Sequence, residues 1–317
     1  MRVMVVEGNT PELVAATRDA GAPMAPAEAY AAALRRHAPV VGTAFEIVIA
    51  RPFFPEPLPA LDGVAGAALT GSGVAFSADA AEAARHRAFV ERLFAAGIPV
   101  LGSCWGLQVA TVILGGAVGA SPAGIEVPVA NALTLTAAGR LHPLHAGRPA
   151  VFDAPCIHRD IVTRRPSGAV VTASNAHCTV QAMVYELDGV RLWGVQYHPE
   201  HAVSDMLRYL TNAGSAALTR GAATLGGAYP VRLLAEVEAV EADPQGRAAE
   251  ARRLGLDPCL LDPMQRGVEL ASWLESLGDP AVERCPALSP SVCVGVCVGL
   301  GDVPPDAAGL GAGQAMG

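Results

Sequence analysis

Short apolar runs alternate with longer helical patterns through the first third of the chain. RVMVVE (2–7), AFEIVIARP (44–52), VAGAALTGSG (64–73) and PVLGS (99–103) are rich in β-branched or small apolar residues, and each predicts a buried strand. Between them, NTPELVAATRDAG (9–21) carries helix signals: Thr10 as N-cap, Pro11 at the first helical position and Gly21 as terminator. APAEAYAAALRRHAP (25–39) predicts a second helix bounded by prolines, and FFPEPLPALDG (53–63) a proline-rich loop. DAAEAARHRAFVERLFAAGI (79–98) predicts an amphipathic helix with Ala84, Phe89, Leu93 and Ala96 along one stripe, and WGLQVATVILGG (105–116) predicts another helix.

A β-α-β-α series of this kind predicts an α/β fold with a mostly parallel, doubly wound sheet. Ligands of such sheets gather at the carboxyl ends of strands. Three candidate segments lie there: Glu7–Gly8–Asn9, Gly71–Ser72–Gly73 and Ser103–Cys104–Trp105. From about 125 to 197 the pattern shifts to short β-like runs (EVPVANALTLT, AVVTASN, TVQAMVYEL, RLWGVQYH), which predict added antiparallel strands. SDMLRYLTNAG (204–214) closes this unit as a helix capped by Gly214. The expected organisation is a domain over 1–218, a small helical extension over 219–280 and a poorly ordered Gly/Pro/Ala-rich tail over 281–317.

Composition narrows the chemistry. All 22 basic residues are arginine, which excludes a Walker-type phosphate loop and Schiff-base catalysis, both of which need lysine. Net charge is −8 and no basic stripe with interleaved aromatics occurs, so no nucleic-acid partner is expected. Residues 1–12 (MRVMVVEGNTPE) turn polar too soon for a signal peptide, and no long apolar run suggests a membrane span; a cytoplasmic location is expected. The seven cysteines, without an export signal or a CxxC pair, are expected as free thiols with no structural zinc. Cys293 and Cys297 lie in the expected tail and read as incidental.

One cysteine stands apart. In GIPVLGSCWGLQVA (97–110) a strand ends in Gly-Ser-Cys-Trp-Gly before a helix, the cysteine form of a nucleophile elbow. Gly102 and Gly106 let strand and helix cross closely, so Cys104 projects from a sharp turn at a helix N-terminus, where the helix dipole favours negative charge. The Trp105 amide points the same way and can serve as an oxyanion donor. The alternative is a small apolar cysteine packed under the sheet. An acyl-transferring thiolate needs a base, and WGVQYHPEH (193–201) supplies one: His198 leaves a strand end, Pro199 stiffens the turn, and Glu200 stands ready to orient the imidazole.

GSCWGLQ and GVQYHPE, about ninety residues apart, resemble the G-x-C-x-G-x-Q and G-x-Q-x-H-P-E motifs of class-I (triad-type) glutamine amidotransferases. The resemblance covers residues 1–215 and is nearest in flavour to the stand-alone glutaminase domain of GMP synthase. TGSG (70–73) sits where that family has its Gly-Gly-Pro oxyanion loop. CIHRDIV resembles the S-H-x-D-x-V segment, and TASNAHCTVQAM the A-S-x-x-x-x-x-V-Q-A segment.

The resemblance implies a flavodoxin-like sheet, and a Cys104–His198–Glu200 triad that opens the carboxamide of glutamine through a γ-glutamyl thioester. The Gly71–Ser72 loop and the Trp105 amide would hold the oxyanion, Gln108 would contact the substrate, and ammonia would pass to a separate synthetase or ligase. No cofactor or metal is implied. The chain departs from the family at Gly71-Ser72-Gly73, which lacks the second glycine and the proline. It also departs at Cys156, near the usual serine, and in GIEVPVANALTLT, which lacks a basic residue. No S-G-G-x-D-S pyrophosphatase run follows, so an acceptor half is not expected in this chain. Two other readings stay open: a stand-alone γ-glutamyl hydrolase acting on an amine or peptide conjugate, and a non-catalytic regulatory subunit.

Overall fold

The computed structural model describes residues 1–19, 24–42, 44–211 and 229–278. Strands β1 (Arg2–Val6), β2 (Glu46–Ala50), β3 (Val64–Leu69) and β4 (Val100–Ser103) fall where the apolar runs predict them. Helices α1 (Pro11–Asp19), α2 (Pro26–Val41), α3 (Ala84–Ala95) and α4 (Trp105–Ile113) separate or follow them. Next come β5 (Ala117–Ala120), β6 (Val129–Leu135), α5 (Ala137–Leu141), β7 (Val151–Pro155), β8 (Asp160–Arg164), β9 (Val170–Ser174), β10 (Ala182–Leu187) and β11 (Val190–Val195). The described helices end with α6 (Val203–Thr211), α7 (Tyr229–Ala242), α8 (Ala248–Leu254), α9 (Pro258–Leu261), α10 (Pro263–Arg266) and α11 (Val268–Gly278).

Nine strands form one sheet in the order β2-β1-β3-β4-β11-β10-β9-β6-β7, and β5 and β8 pair separately as an antiparallel ribbon. The first five strands run parallel, so their carboxyl ends share one edge; β10, β9, β6 and β7 extend the sheet antiparallel. This is the mixed α/β architecture expected. β1 is buried on both sides, with Val3 and Val5 in one apolar layer and Met4 and Val6 in the other, as a central parallel strand must be. The first layer holds Tyr30 and Leu34 of α2 with Leu270, Trp273 and Leu274 of α11; the second holds Phe89 and Leu93 of α3 with Leu107 of α4.

Two details differ from the expected pattern. In α3 the buried stripe is His86, Phe89, Val90, Leu93 and Phe94, while Ala84 and Ala96 face solvent. The larger side chains set the helix rotation, because alanine contributes little apolar area. The helical extension expected from 219 is built into the body, since residues 1–280 form one compact unit. Its last helix lies on β3 at Gly66, where a Cβ would stand 2.7 Å from Leu277 and 2.8 Å from Trp273. Gly21, Gly214 and the tail with Cys293 and Cys297 lie outside the described residues. No described helix is long and apolar enough to cross a membrane.

A buried ion pair ties α11 to the strand that leads to the candidate site. Glu269, fully buried, accepts from Arg148 Nε at 2.9 Å and Nη2 at 2.6 Å and from the Tyr197 hydroxyl at 2.8 Å. Burial pushes its carboxyl up, but the Arg148 guanidinium outweighs this and holds it well below the usual range. Glu269→Ala leaves Arg148 buried and unpaired, and is expected to cost about 3–5 kcal/mol, read from urea unfolding.

Candidate active site

The turn after β4 carries Cys104 with φ 49° and ψ −103°, a left-handed backbone that a non-glycine residue adopts only under constraint. Two bonds hold it: Cys104 N–H donates to Val195 O at 2.8 Å, and Gln108 N–H donates to Cys104 O at 3.0 Å. The flanking glycines are steric requirements. A Cβ on Gly102 would lie 2.7 Å from the Gly106 carbonyl carbon, and one on Gly106 would lie 2.6 Å from Leu69 O. Cys104 is 5% exposed, and its Sγ donates a long hydrogen bond to Ile157 O at 3.7 Å.

β11 lies beside β4, which brings the turn after Val195 to the same edge. His198 N–H donates to Pro155 O at 2.8 Å, and His198 Nδ1 lies 2.8 Å from Glu200 Oε1. The imidazole then offers Nε2, which is buried and makes no hydrogen bond. Cys104, His198 and Glu200 line one cleft. Burial would lower the His198 pKa. The charge of Glu200, with the Cys104 side chain beside the ring, outweighs it and lifts the pKa to about 10. Burial raises Glu200, and the His198 charge overrides this to leave it below its ordinary value.

Because His198 is lifted in the folded chain, its proton stabilises the fold fully below its ordinary value of 6.5, and that contribution fades as pH rises through about 10. Glu200 acts with the opposite sense: its contribution is lost as pH falls below 4.5. In His198→Gln the alkaline part is expected to vanish. The difference in urea midpoint between wild type and variant should then shrink steadily from pH 6.5 to 10, and a constant difference would contradict the pairing.

The loop after β3 closes the cleft opposite Cys104. Gly71 packs directly on the His198 ring: a Cβ there would lie 2.5 Å from His198 Cε1. Gly73 N–H is taken by Asn9 Oδ1 at 2.9 Å, which leaves the Ser72 amide as the loop's candidate oxyanion donor, beside that of Trp105. Gln108 lines the cleft, but its Nε2 is committed to Asp160 O at 2.7 Å and Gln196 Oε1 at 3.3 Å, so it holds the 157–160 wall in place. Asp160 pairs its carboxylate with Arg159 at 2.8 Å at the rim.

Several residues at the site were given no role from sequence. Glu7 and Asn9 were legible only as a strand end. His158 faces the cleft and pairs with buried Glu126 at 2.9 Å; Glu126 also accepts from Asn175 at 2.6 Å and Gln181 at 2.7 Å. Glu126, His158 and His177 bring donor atoms within 4.8 Å, as do His198, Glu200 and His201, the two groupings among the described residues that could hold a metal. The Glu126 oxygens are already engaged by His158, Asn175, Gln181 and, at longer range, Cys156, which makes this group a hydrogen-bonded hub. Its sequence signal is the pair of family-like segments CIHRDIV and TASNAHCTVQAM, which hold His158, Asn175, His177 and Gln181.

The family model of class-I glutamine amidotransferases matches residues 71–214, the stretch that holds the Gly71–Ser72–Gly73 loop, the elbow and the His-Pro-Glu turn. A γ-glutamyl-L-1-hydroxyisopropylamide hydrolase from a Pseudomonas species is 34% identical over 227 residues, covering 70% of this chain and 75% of that protein. The chain belongs to the class-I glutamine amidotransferase family. It is a cysteine-dependent amide hydrolase by that membership. A glutamine-hydrolysing GMP synthase from Serratia proteamaculans is 38% identical over 116 residues, 35% of this chain and only 21% of that protein. A glutamine amidotransferase structure from Thermotoga maritima superposes with a TM-score of 0.52 over 87% of this chain and 97% of that one, at 16% identity, a likeness of fold.

Proposed function

We propose that this member of the family cleaves the γ-amide bond of a γ-glutamyl amine, releasing glutamate and the amine. The observation that carries the reading is one cleft holding a strained cysteine at a helix N-terminus, a histidine with Nε2 unpaired, and that histidine's carboxylate partner. Cys104 Sγ, its proton held by the His198 imidazole, attacks the γ-carbonyl carbon. The Ser72 and Trp105 amides hold the oxyanion. The C–N bond breaks as His198 returns the proton to the leaving nitrogen, and a γ-glutamyl thioester remains. Water, activated by His198, then releases glutamate and restores the thiol.

Two features favour a substituted amide over glutamine itself, reversing the order expected from sequence. The cleft that holds Cys104 is also lined by apolar Leu13, Ala16, Val74 and Phe76, side chains that suit an alkyl substituent on the leaving amine better than ammonia. The relative aligned over 227 residues is a hydrolase named for such an amide. Arg159 and Asp160 stand at the rim, able to meet the substrate's α-carboxylate and α-ammonium. The second reading, glutamine hydrolysis supplying ammonia to a separate synthetase, draws on the likeness to the GMP synthases, of which this chain spans about a fifth.

Glutamate release from glutamine and from γ-glutamyl alkylamides separates the two. A higher kcat/KM on alkylamides is expected. Efficient glutamine turnover that rises with an added synthetase, with alkylamides untouched, would sink the first reading.

A further inference from the structure

The oxyanion loop of this chain lacks the proline that stiffens its counterpart in the family, yet both peptide planes around Ser72 are pinned from the end of β1. Asn9 Oδ1 accepts from Gly73 N–H at 2.9 Å and from Ser72 Oγ at 3.2 Å. Asn9 cannot turn away, because Glu7 Oε1 accepts from both its Nδ2 (2.7 Å) and its backbone N–H (3.0 Å). Glu7 is fixed in turn through Oε2, which accepts from Ala27 N–H at 2.9 Å in the first turn of α2. Glu7 and Asn9 are 1% and 6% exposed, so water offers little competition for these bonds.

The preceding peptide is held by Thr70. Its Oγ1 accepts from Gly8 N–H at 2.9 Å and donates to Gly71 O at 2.8 Å. A trans peptide is planar, so fixing Gly71 O fixes the Ser72 N–H on the opposite side. Gly8 allows this approach: a Cβ there would lie 2.9 Å from Gly71 O and 3.0 Å from Trp105 Cδ1.

We infer that Asn9 and Thr70, with Glu7 behind Asn9, are positioning residues that aim the Ser72 amide at the oxyanion, replacing by side-chain hydrogen bonds the rigidity that a proline would give the loop. The inference rests on the proposed γ-glutamyl hydrolysis for its catalytic half, and on the bonds themselves for its structural half. The aim of the amide matters only when the carbonyl oxygen becomes an oxyanion, so losing it should reduce kcat and spare binding of the ground state.

Asn9→Ala and Thr70→Val are therefore expected to lower kcat on a γ-glutamyl amide roughly 10- to 100-fold, with KM and inhibition by glutamate within about twofold of wild type. Thr70→Ser, which keeps the hydroxyl, should recover most of what Thr70→Val loses. Amide hydrogen exchange gives a readout independent of turnover: Gly73 N–H is protected in wild type and exchanges at least tenfold faster in Asn9→Ala. Unchanged Gly73 exchange in Asn9→Ala, or kcat within twofold of wild type in both variants, overturns the inference. So does a parallel loss of glutamate binding. A wild-type chain inert on every γ-glutamyl amide but with Gly73 protected would instead overturn the proposed function and the catalytic half, and uphold the anchor.

Discussion

Cys104→Ser is expected to lower γ-glutamyl amide turnover by at least about 10⁴-fold, with the fold retained. The hydroxyl would occupy the same strained turn, since the bonds that hold residue 104 are made by its backbone. A serine hydroxyl is a far weaker acid than a thiol, and His198, which Glu200 keeps protonated up to a pH of about 10, is a poor acceptor for its proton. The exchange is nearly conserving in volume, so unfolding free energy should change by less than about 1.5 kcal/mol. Glutamate release measures the first effect and urea unfolding the second. Mass spectrometry after exposure to a diazo-ketone glutamine analogue adds a direct readout: the wild type should gain the label at Cys104 and the variant should gain none. Buried Cys156 and Cys178 do not compete, because burial pushes Cys178 up to about 11 and Cys156 well above its ordinary value. Turnover within tenfold of wild type, or a label at another cysteine, would remove Cys104 from the role.

His198→Ala should also cost a large factor, on the order of 10³- to 10⁶-fold, because in the proposed reaction the same nitrogen holds the proton shared with Cys104 and gives it to the leaving nitrogen. The variant also leaves buried Glu200 with only His201, 3.9 Å away, in place of its 2.8 Å partner, so a loss of fold has to be separated from a loss of the base. Glu200→Gln separates the two effects. It keeps the volume and a hydrogen bond to His198 Nδ1, removes the charge that sustains the imidazolium, and should lower kcat by a smaller factor than His198→Ala. Circular dichroism checks the fold of both. If folded His198→Ala retains more than about a tenth of wild-type turnover, the base lies elsewhere.

Much of the site was legible as spacing. Gly102 and Gly106 around Cys104 announce a tight crossing, and the structure shows the reason in contacts that no Cβ could occupy. His-Pro-Glu after an apolar strand was legible because proline and glutamate leave few other purposes for a histidine there. The Gly71–Ser72–Gly73 loop was legible in place but not in what holds it. Gly-Ser-Gly looks underdetermined until Asn9, some sixty residues earlier, is seen bonded to it. Gln108 shows the reverse. The sequence pattern marks it for substrate, while in the fold its Nε2 braces Asp160 and Gln196.

The extension after residue 219 illustrates the remaining gap. Its helices are legible as amphipathic, but periodicity says only that one face is buried, not against what. That α11 would seat on Gly66 of β3 depends on contacts between residues about 200 apart in sequence, and that Glu269 would meet Tyr197, next to His198 in the chain, on a pair 72 apart. The hub around Glu126 is hidden for the same reason, since its partners come from three separate segments.

The sequence by itself determined the α/β class, the strand ends that face the cleft, and the cysteine, histidine and glutamate that stand there. These rest on local rules: apolar period, glycine's missing Cβ, proline's fixed φ. Only the tertiary structure decided what pins the Gly71–Ser72–Gly73 loop, what holds Glu269, and which side chains line the cleft beside Cys104. Those depend on hydrogen bonds and packing between distant segments, whose energies appear only once the chain has closed on itself.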